Sequence, residues 1–426
     1  MSTELRTALR EAVSTPPPFD PDVAAIVGAG VRRSRRRARV AVGACAAVVV
    51  AIAVTAGVVA GLRPPPDPEP AKVVRLDLER AEHVRLDVLA TTRAAVVGQP
   101  EGPLERAEFE GVTSDGLVLV NRHRNASRAL ELGLLDPAGG TTDWLPPPGV
   151  DNRELQVVDL TPERLVVVTR SRGAYGYEVL VFDRAARTWQ RSEVKLPGRV
   201  EVHVGPQLAL GPDDRLYFGA MTEGQPYPVS WWSAPLTDDS PDLREEPELE
   251  GASVAWSDDG MVSADPSGRV VVSGPDEERV VSDQRPADCA TPEDFPDMPV
   301  GLLLAGDTPV VTYPCRFGRS GVVSHTVIYE DGGQTVVEVH AWARSADGDH
   351  VVLASGLPPS LSRPSATPED DGTFVVDLDG LTVSRIGDAP SQPQSALGAG
   401  LVLWTSEEPS GDRQHTRPVF NVARLD

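Results

Sequence analysis

From Ser114 to Trp404 one pattern recurs: a polar turn, usually with Asp or Glu and often Gly, followed by a run of β-branched and apolar residues. It reads Ser114-Asp115-Gly116 before Leu-Val-Leu-Val, Thr161 to Arg164 before Leu-Val-Val-Val, and Gly211 to Arg215 before Leu-Tyr-Phe. It returns at Ser257 to Gly260, Gly306 to Pro309, Ser345 to His350 and, without the acid, Gly398 to Gly400. Successive turns lie roughly 40 to 50 residues apart, the period of four-stranded propeller blades. Second hairpins follow within the period, at Leu132 to Trp144, Val179 to Trp189, Val327 to Val337 and Phe374 to Val383. Asp-Gly and Gly-Gly at these turns supply the positive φ that tight hairpins need. A pair of β-sandwiches would also show short strands but would not keep this period, and a β-helix would have shorter repeats.

A different pattern precedes the repeats. No charged residue occurs from Val40 to Leu62, and Arg32, Arg33, Arg35, Arg36, Arg37 and Arg39 stand just before it. At ~1.5 Å per residue these 23 positions cover ~34 Å, enough for a ~30 Å hydrocarbon core. The Arg block is topology-determining, so the chain is expected in the cell membrane as a single-pass protein, N-terminus cytoplasmic and C-terminal domain extracytoplasmic. A cleaved signal peptide would have a shorter apolar core and a small-residue cleavage site. The expected division is a cytoplasmic leader at 1–39, a transmembrane helix at 40–62, a Pro-rich spacer at 63–71 and a β-propeller at 72–426.

The fold class expected is thus an all-β ectodomain, a seven-bladed propeller with six or eight blades left open, after one transmembrane helix and a short helical leader. The last blade looks short. Two earlier runs, Val73 to Leu78 and Val84 to Leu89, alternate apolar with charged residues as an edge strand does. One of them is expected to complete the last blade, since an unclosed ring leaves two bare sheet edges.

Charge narrows the partners. The whole chain carries −23, residues 1–39 carry +4 and Arg63 adds one, which leaves −28 from residue 64 onward. Such a domain repels nucleic acid and anionic headgroups. Of three cysteines, Cys45 falls in the apolar segment, while Cys289 and Cys315 are exported and are expected to pair as a disulfide. No CxxC occurs and no His lies near either Cys, which disfavours zinc.

The repeated phrase resembles the turn of TolB-like and WD40-like propellers, though the WD dipeptide and the Gly-His signature of true WD40 repeats are absent. The leader resembles an actinobacterial pattern: a short helix at Leu5-Arg6-Thr7-Ala8-Leu9-Arg10-Glu11-Ala12, a break at Pro16 to Pro18, the block Arg32 to Arg39, then one span. Proteins of that layout are often encoded beside extracytoplasmic-function sigma factors, and some look like anti-sigma regulators. Leu5, Leu9 and Val13 share one face of the short helix, which reads either as a docking site for a cytoplasmic partner at residues 2–13 or as a leader whose arginines only fix orientation.

Candidate chemistry is thin. None of seven His sits in HExxH or HxH. The cluster Asn121-Arg122-His123-Arg124-Asn125 offers anion binding or a solvated strand end. Asp347-Gly348-Asp349 and Asp377-Leu378-Asp379-Gly380 read as hairpin turns rather than calcium loops. No catalytic residue, cofactor or metal is expected. The reading is a membrane-anchored binding or sensing module, not an enzyme, held in the bilayer through residues 40–62 and meeting an extracytoplasmic protein or small ligand. A transmembrane regulator of a sigma factor is the alternative, and an exported glycosidase-like propeller the third.

Overall fold

The apolar runs become strands because each is buried on both sides. In Leu165-Val166-Val167-Val168, Leu165 and Val167 pack with Leu119, Leu132 and Leu134 of the preceding sheet. Val166 and Val168 pack with Leu216, Phe218 and Trp232 of the following one. A strand sandwiched between two neighbours needs no polar face, so continuous apolar runs replace alternation. Burial of each such side chain contributes about 1.5–3 kcal/mol.

The structure, a computed structural model, describes residues 71–93, 106–123, 129–150, 155–170, 176–196, 200–201, 207–212, 214–222, 229–237, 242–257, 260–274, 277–286, 289, 300–316, 322–330, 335–355, 372–387, 396–409 and 416–425. These belong to one unit, Pro70–Asp426; the other unit, Met1–Glu69, lies outside the described residues. So do the leader, the Arg block and residues 40–62. Among the described residues no helix is long and apolar enough to cross a membrane.

Seven sheets, each built on antiparallel strands, follow one another in sequence. Blade 1 is Arg106–Val112, Val118–His123, Glu131–Asp136 and Thr141–Trp144. Blade 2 is Leu155–Leu160, Arg164–Arg170, Gly176–Asp183 and Thr188–Lys195. Blade 3 is Gln207–Leu210, Arg215–Thr222, Val229–Pro235 and Arg244–Glu245, with Val200–Glu201 paired to the end of its second strand. Blade 4 is Ser253–Ser257, Gly260–Ala264, Arg269–Ser273 and Glu278–Asp283. Blade 5 is Gly301–Ala305, Thr308–Arg316, Val322–Glu330 and Thr335–Val339. Blade 6 is Trp342–Asp347, His350–Ser355, Gly372–Asp377 and Thr382–Gly387. Blade 7 has Ala396–Gly398, Leu401–Pro409 and Thr416–Arg424 from the C-terminal part of the chain.

The first strand of each blade packs against the first strands of both neighbours, and that of blade 7 packs against that of blade 1. This closed circuit defines a seven-bladed β-propeller, with first strands nearest the axis. Every recurring turn phrase lies between the first and second strands of its blade. Gly116, Gly306, Gly348 and Gly400 hold φ of +83°, +56°, +52° and +70° there. The residue after the third strand commonly returns to this turn: the N–H groups of Arg184, Leu236, Leu378 and Leu425 donate to the carbonyls of Glu163, Asp214, Asp349 and Gly400.

Closure differs from expectation in detail. The fourth strand of blade 7 is Val88–Arg93, paired antiparallel with Thr416–Arg424. Of the two anticipated runs, only Val88 and Leu89 enter it. Lys72–Arg75 instead lies parallel on the outer edge of blade 5, and Glu82–His83 parallel on that of blade 6. An alternating sequence specifies an edge strand but not whose edge, and three successive blades offer one.

Cys289 and Cys315 are joined by a disulfide, with their Cα atoms 5.1 Å apart. It ties the connector leading into blade 5 to that blade's second strand. Both residues are buried beside Tyr313 and Val311.

Candidate functional site

In a four-stranded blade, the first–second and third–fourth turns emerge at the same end. Turns of adjacent blades meet there: Ser114 N donates to Leu160 O across blades 1 and 2, and a Cβ at Gly116 would meet Ala399 Cβ of blade 7 at 3.9 Å.

On this face, at the seam of blades 1 and 2, lies a cleft of about 260 Å³. Its floor is Leu117, Leu134, Leu145 and Phe182; its rim carries Asp136, Asp143, Thr141, Arg184 and Arg187. The floor residues belong to the apolar cluster shared by the two blades. Rim positions come from the third–fourth turns. Asp136 Oδ1 accepts from Ala138 N and Gly139 N at 3.0 Å each, which closes the blade 1 turn. Asp183 Oδ1 accepts from Ala186 N at 2.8 Å in the blade 2 turn.

Arg184 is held across the seam by both oxygens of Asp115, at 2.9 and 2.8 Å, and also donates to Thr161 O. Its guanidinium holds the Asp115 carboxyl down to about 2. Arg187 reaches Asp143 at 2.6 and 3.1 Å, and this pairing lowers the Asp143 pKa and raises that of Arg187. Arg187 has φ +56°, a region costly for a side chain. The equivalent position of the blade 1 turn is Gly140, at φ +66°. In the matching turn of blade 6 the position is Leu381, at φ +48°, so the left-handed residue is a feature of this turn type. An apolar floor with opposed charges at its mouth suits a small amphipathic molecule. Among the described residues no histidine lines the cleft.

The other candidates are occupied or apart. Asn121 donates to Glu110 Oε1 at 2.9 Å. Arg122 bonds Glu131 at 2.7 Å and lies 3.7 Å from the Trp144 ring centroid. These two residues therefore brace blade 1; Arg124 and Asn125 lie outside the described residues. Asp377 Oδ1 accepts from Asp379 N at 3.1 Å and Gly380 N at 3.4 Å, which makes that segment a hairpin turn. Asp347 to Asp349 turns between the first strands of blade 6. His325 and His340 meet with ring centroids 4.7 Å apart, a pairing the sequence did not suggest. Among the described residues no group of three or more His, Cys, Asp or Glu converges as a metal site. Reading missed Arg187, although aligning the two turns at their 47-residue spacing sets it on Gly140.

No protein-family model and no curated protein matches the chain. Solved structures similar to it include an oligogalacturonate lyase in complex with manganese, at 12% identity and TM-score 0.48, with 84% of this chain and 99% of that one covered. TolB from Acinetobacter baumannii is similar at 12% identity and TM-score 0.35, covering 74% and 65%. The β-propeller domain of the Trilobed protease from Pyrococcus furiosus, described as an open velcro topology, is similar at 15% identity and TM-score 0.34, covering 57% and 74%. At these values the likeness concerns the fold alone. It corrects the expectation that the chain is not an enzyme. Propeller structures similar to this one include an oligogalacturonate lyase and the propeller domain of a protease, and a fold by itself excludes no chemistry.

Proposed function

We propose that this protein is a membrane-tethered, extracytoplasmic propeller that binds or senses a small amphipathic molecule in the cleft between blades 1 and 2. The observation that carries the reading is the cleft itself, with an apolar floor of Leu117, Leu134, Leu145 and Phe182 beneath the paired charges of Arg187 and Asp143. The tether is supported by the Arg block and the uncharged stretch 40–62. The leader's resemblance to proteins encoded beside sigma factors favours a relay in which residues 2–13 meet a cytoplasmic partner.

The test is thermal denaturation of the full chain in mild detergent, with free amino acids and monosaccharides as probes. At least one probe should raise Tm saturably. Thr141→Trp, exposed and on the rim, should abolish the response by filling the cleft. Arg187→Gly should keep or raise the basal Tm, since glycine accepts that φ, while weakening the response. An unaltered response in Thr141→Trp would sink the proposal. A reporter fused at Asp426 and active only after export should be active; activity of a cytoplasm-only reporter there would refute the tether's orientation.

A further inference from the structure

Two ion pairs cross the seam of blades 1 and 2, and each gives an arginine to the rim of the cleft. They differ in burial. Arg184 is 15% exposed and its partner Asp115 35%. Arg187 and Asp143 are 49% and 58% exposed, and both line the cleft. The pairing of Arg187 lowers the Asp143 pKa, so the carboxylate is ionised at neutral pH. A pair this exposed adds little to stability, so it opens at small cost. Arg187 also donates to Trp144 O at 3.4 Å, a contact that keeps its guanidinium over blade 1 when Asp143 changes partner. The Arg187–Asp143 pair is therefore the part of the rim that a ligand can enter.

Size, floor and rim each narrow what enters. The cleft holds about 260 Å³, below the ~300 Å³ at which pockets for drug-sized ligands begin. The side chains of Leu117, Leu134, Leu145 and Phe182 offer the floor no hydrogen-bonding group. Hydroxyls laid on it would lose their water partners without replacement, which selects a hydrocarbon body over a sugar. At the rim, a lone carboxylate that took Arg187 would leave Asp143 ionised without its cation. A lone amine on Asp143 would strand Arg187 in the same way. Either exchange loses as many charge-assisted hydrogen bonds as it gains. A zwitterion pairs both residues again. It also carries no net charge, so the −28 from residue 64 onward does not repel it at long range. We propose that the cleft takes a free α-amino acid with an apolar side chain, which replaces one ion pair by two: its carboxylate on Arg187, its ammonium on Asp143 and its side chain on the floor. This inference rests on the reading of the cleft as a small-molecule site and names the ligand class.

The probes are L-leucine, isocaproate and isoamylamine, which share one hydrocarbon body and differ in their charged groups, with L-phenylalanine, glycine and glucose beside them. Each is titrated into the full chain in mild detergent at constant ionic strength, with Tm as readout. L-leucine or L-phenylalanine should raise Tm saturably, with half-saturation at a concentration about tenfold below that of isocaproate, isoamylamine or glycine. Asp143→Asn frees Arg187 and should bring isocaproate level with L-leucine or ahead of it. Arg187→Gln should do the same for isoamylamine. A merely structural role for the pair would weaken all three probes alike and leave their order unchanged, which would overturn the assignment. So would equal responses to L-leucine and isocaproate in the parent, a response to glucose alone, or no response to either apolar amino acid. In each of the first three cases the cleft reading survives if Thr141→Trp abolishes the responses. Responses that persist in Thr141→Trp would instead sink the cleft reading itself.

Discussion

Asp115 and Arg187 work the same seam from opposite blades. Asp115 sits in a first turn of blade 1 and clasps Arg184 of blade 2, while Arg187 of blade 2 reaches back to Asp143 of blade 1. The Asp115 carboxyl is lowered from 3.8 to about 2 chiefly by its hydrogen bond from Arg184. A group whose folded pKa is depressed adds stability that is complete above its unfolded pKa and disappears as pH falls through the folded one. The window here is therefore pH 3.8 down to about 2. Its side chain is 35% exposed, so solvent screening limits the contribution to under about 1 kcal/mol. Asp115→Asn should lower Tm by about 1–3 °C at pH 7. The gap between variant and parent should close as pH approaches 2, measured by paired calorimetric scans; a gap unchanged at low pH would mean that charge is not its source. The seam was not legible from sequence. Asp115 reads there only as a turn residue, and its partner lies 69 residues away on another blade.

At the scale of the element, what could be read was what burial writes into the sequence. Second and third strands such as Arg164–Arg170 and Gly176–Asp183 are covered on both faces and so carry dense apolar runs. Fourth strands such as Thr141–Trp144 and Arg244–Glu245 lie at the outer edge, largely solvated, and show no run to find. The turn phrases were legible because positive φ restricts their chemistry, although Arg187, Asp214, Leu381 and Ala399 depart from it at φ of 56°, 53°, 48° and 50°. The connector into blade 5 illustrates a covalent substitute for such burial. With Cys289 and Cys315 separated by 26 positions in sequence, loop closure by the disulfide contributes about 3–4 kcal/mol in the chain-entropy account. The double variant Cys289→Ser, Cys315→Ser should lower Tm by several degrees, and non-reduced peptide mass spectrometry of the parent should yield the linked pair. Two alkylatable thiols in the native protein would contradict the pairing.

On the scale of the molecule, a single segment does two jobs along three blades. Between Lys72 and Arg93 the chain lays one strand on each outer edge of blades 5, 6 and 7 in turn. Leu76, Leu78 and Ala81 pack against the core of blades 5 and 6, Leu86 against that of blades 6 and 7, and Leu89 and Ala90 against that of blades 7 and 1. The contributions differ in kind. The strands on blades 5 and 6 are fifth strands, added in parallel to sheets already complete, and Val73 remains 53% exposed. Val88–Arg93 is instead the fourth strand of blade 7, so without it Thr416–Arg424 becomes a bare edge and the ring stays open. A closed ring unfolds cooperatively because no blade can leave without exposing both neighbours' faces. Replacing 72–83 with a Gly/Ser sequence of equal length should therefore cost a few degrees of Tm and leave one sharp transition. The same replacement of 88–93 should cost more than about 10 °C, broaden the transition and promote aggregation through the uncovered edge. Calorimetry with light scattering distinguishes the two. Equal losses from both replacements would mean that the whole segment acts as a strap, and that closure depends on packing between first strands rather than on the hydrogen bonds of Val88–Arg93.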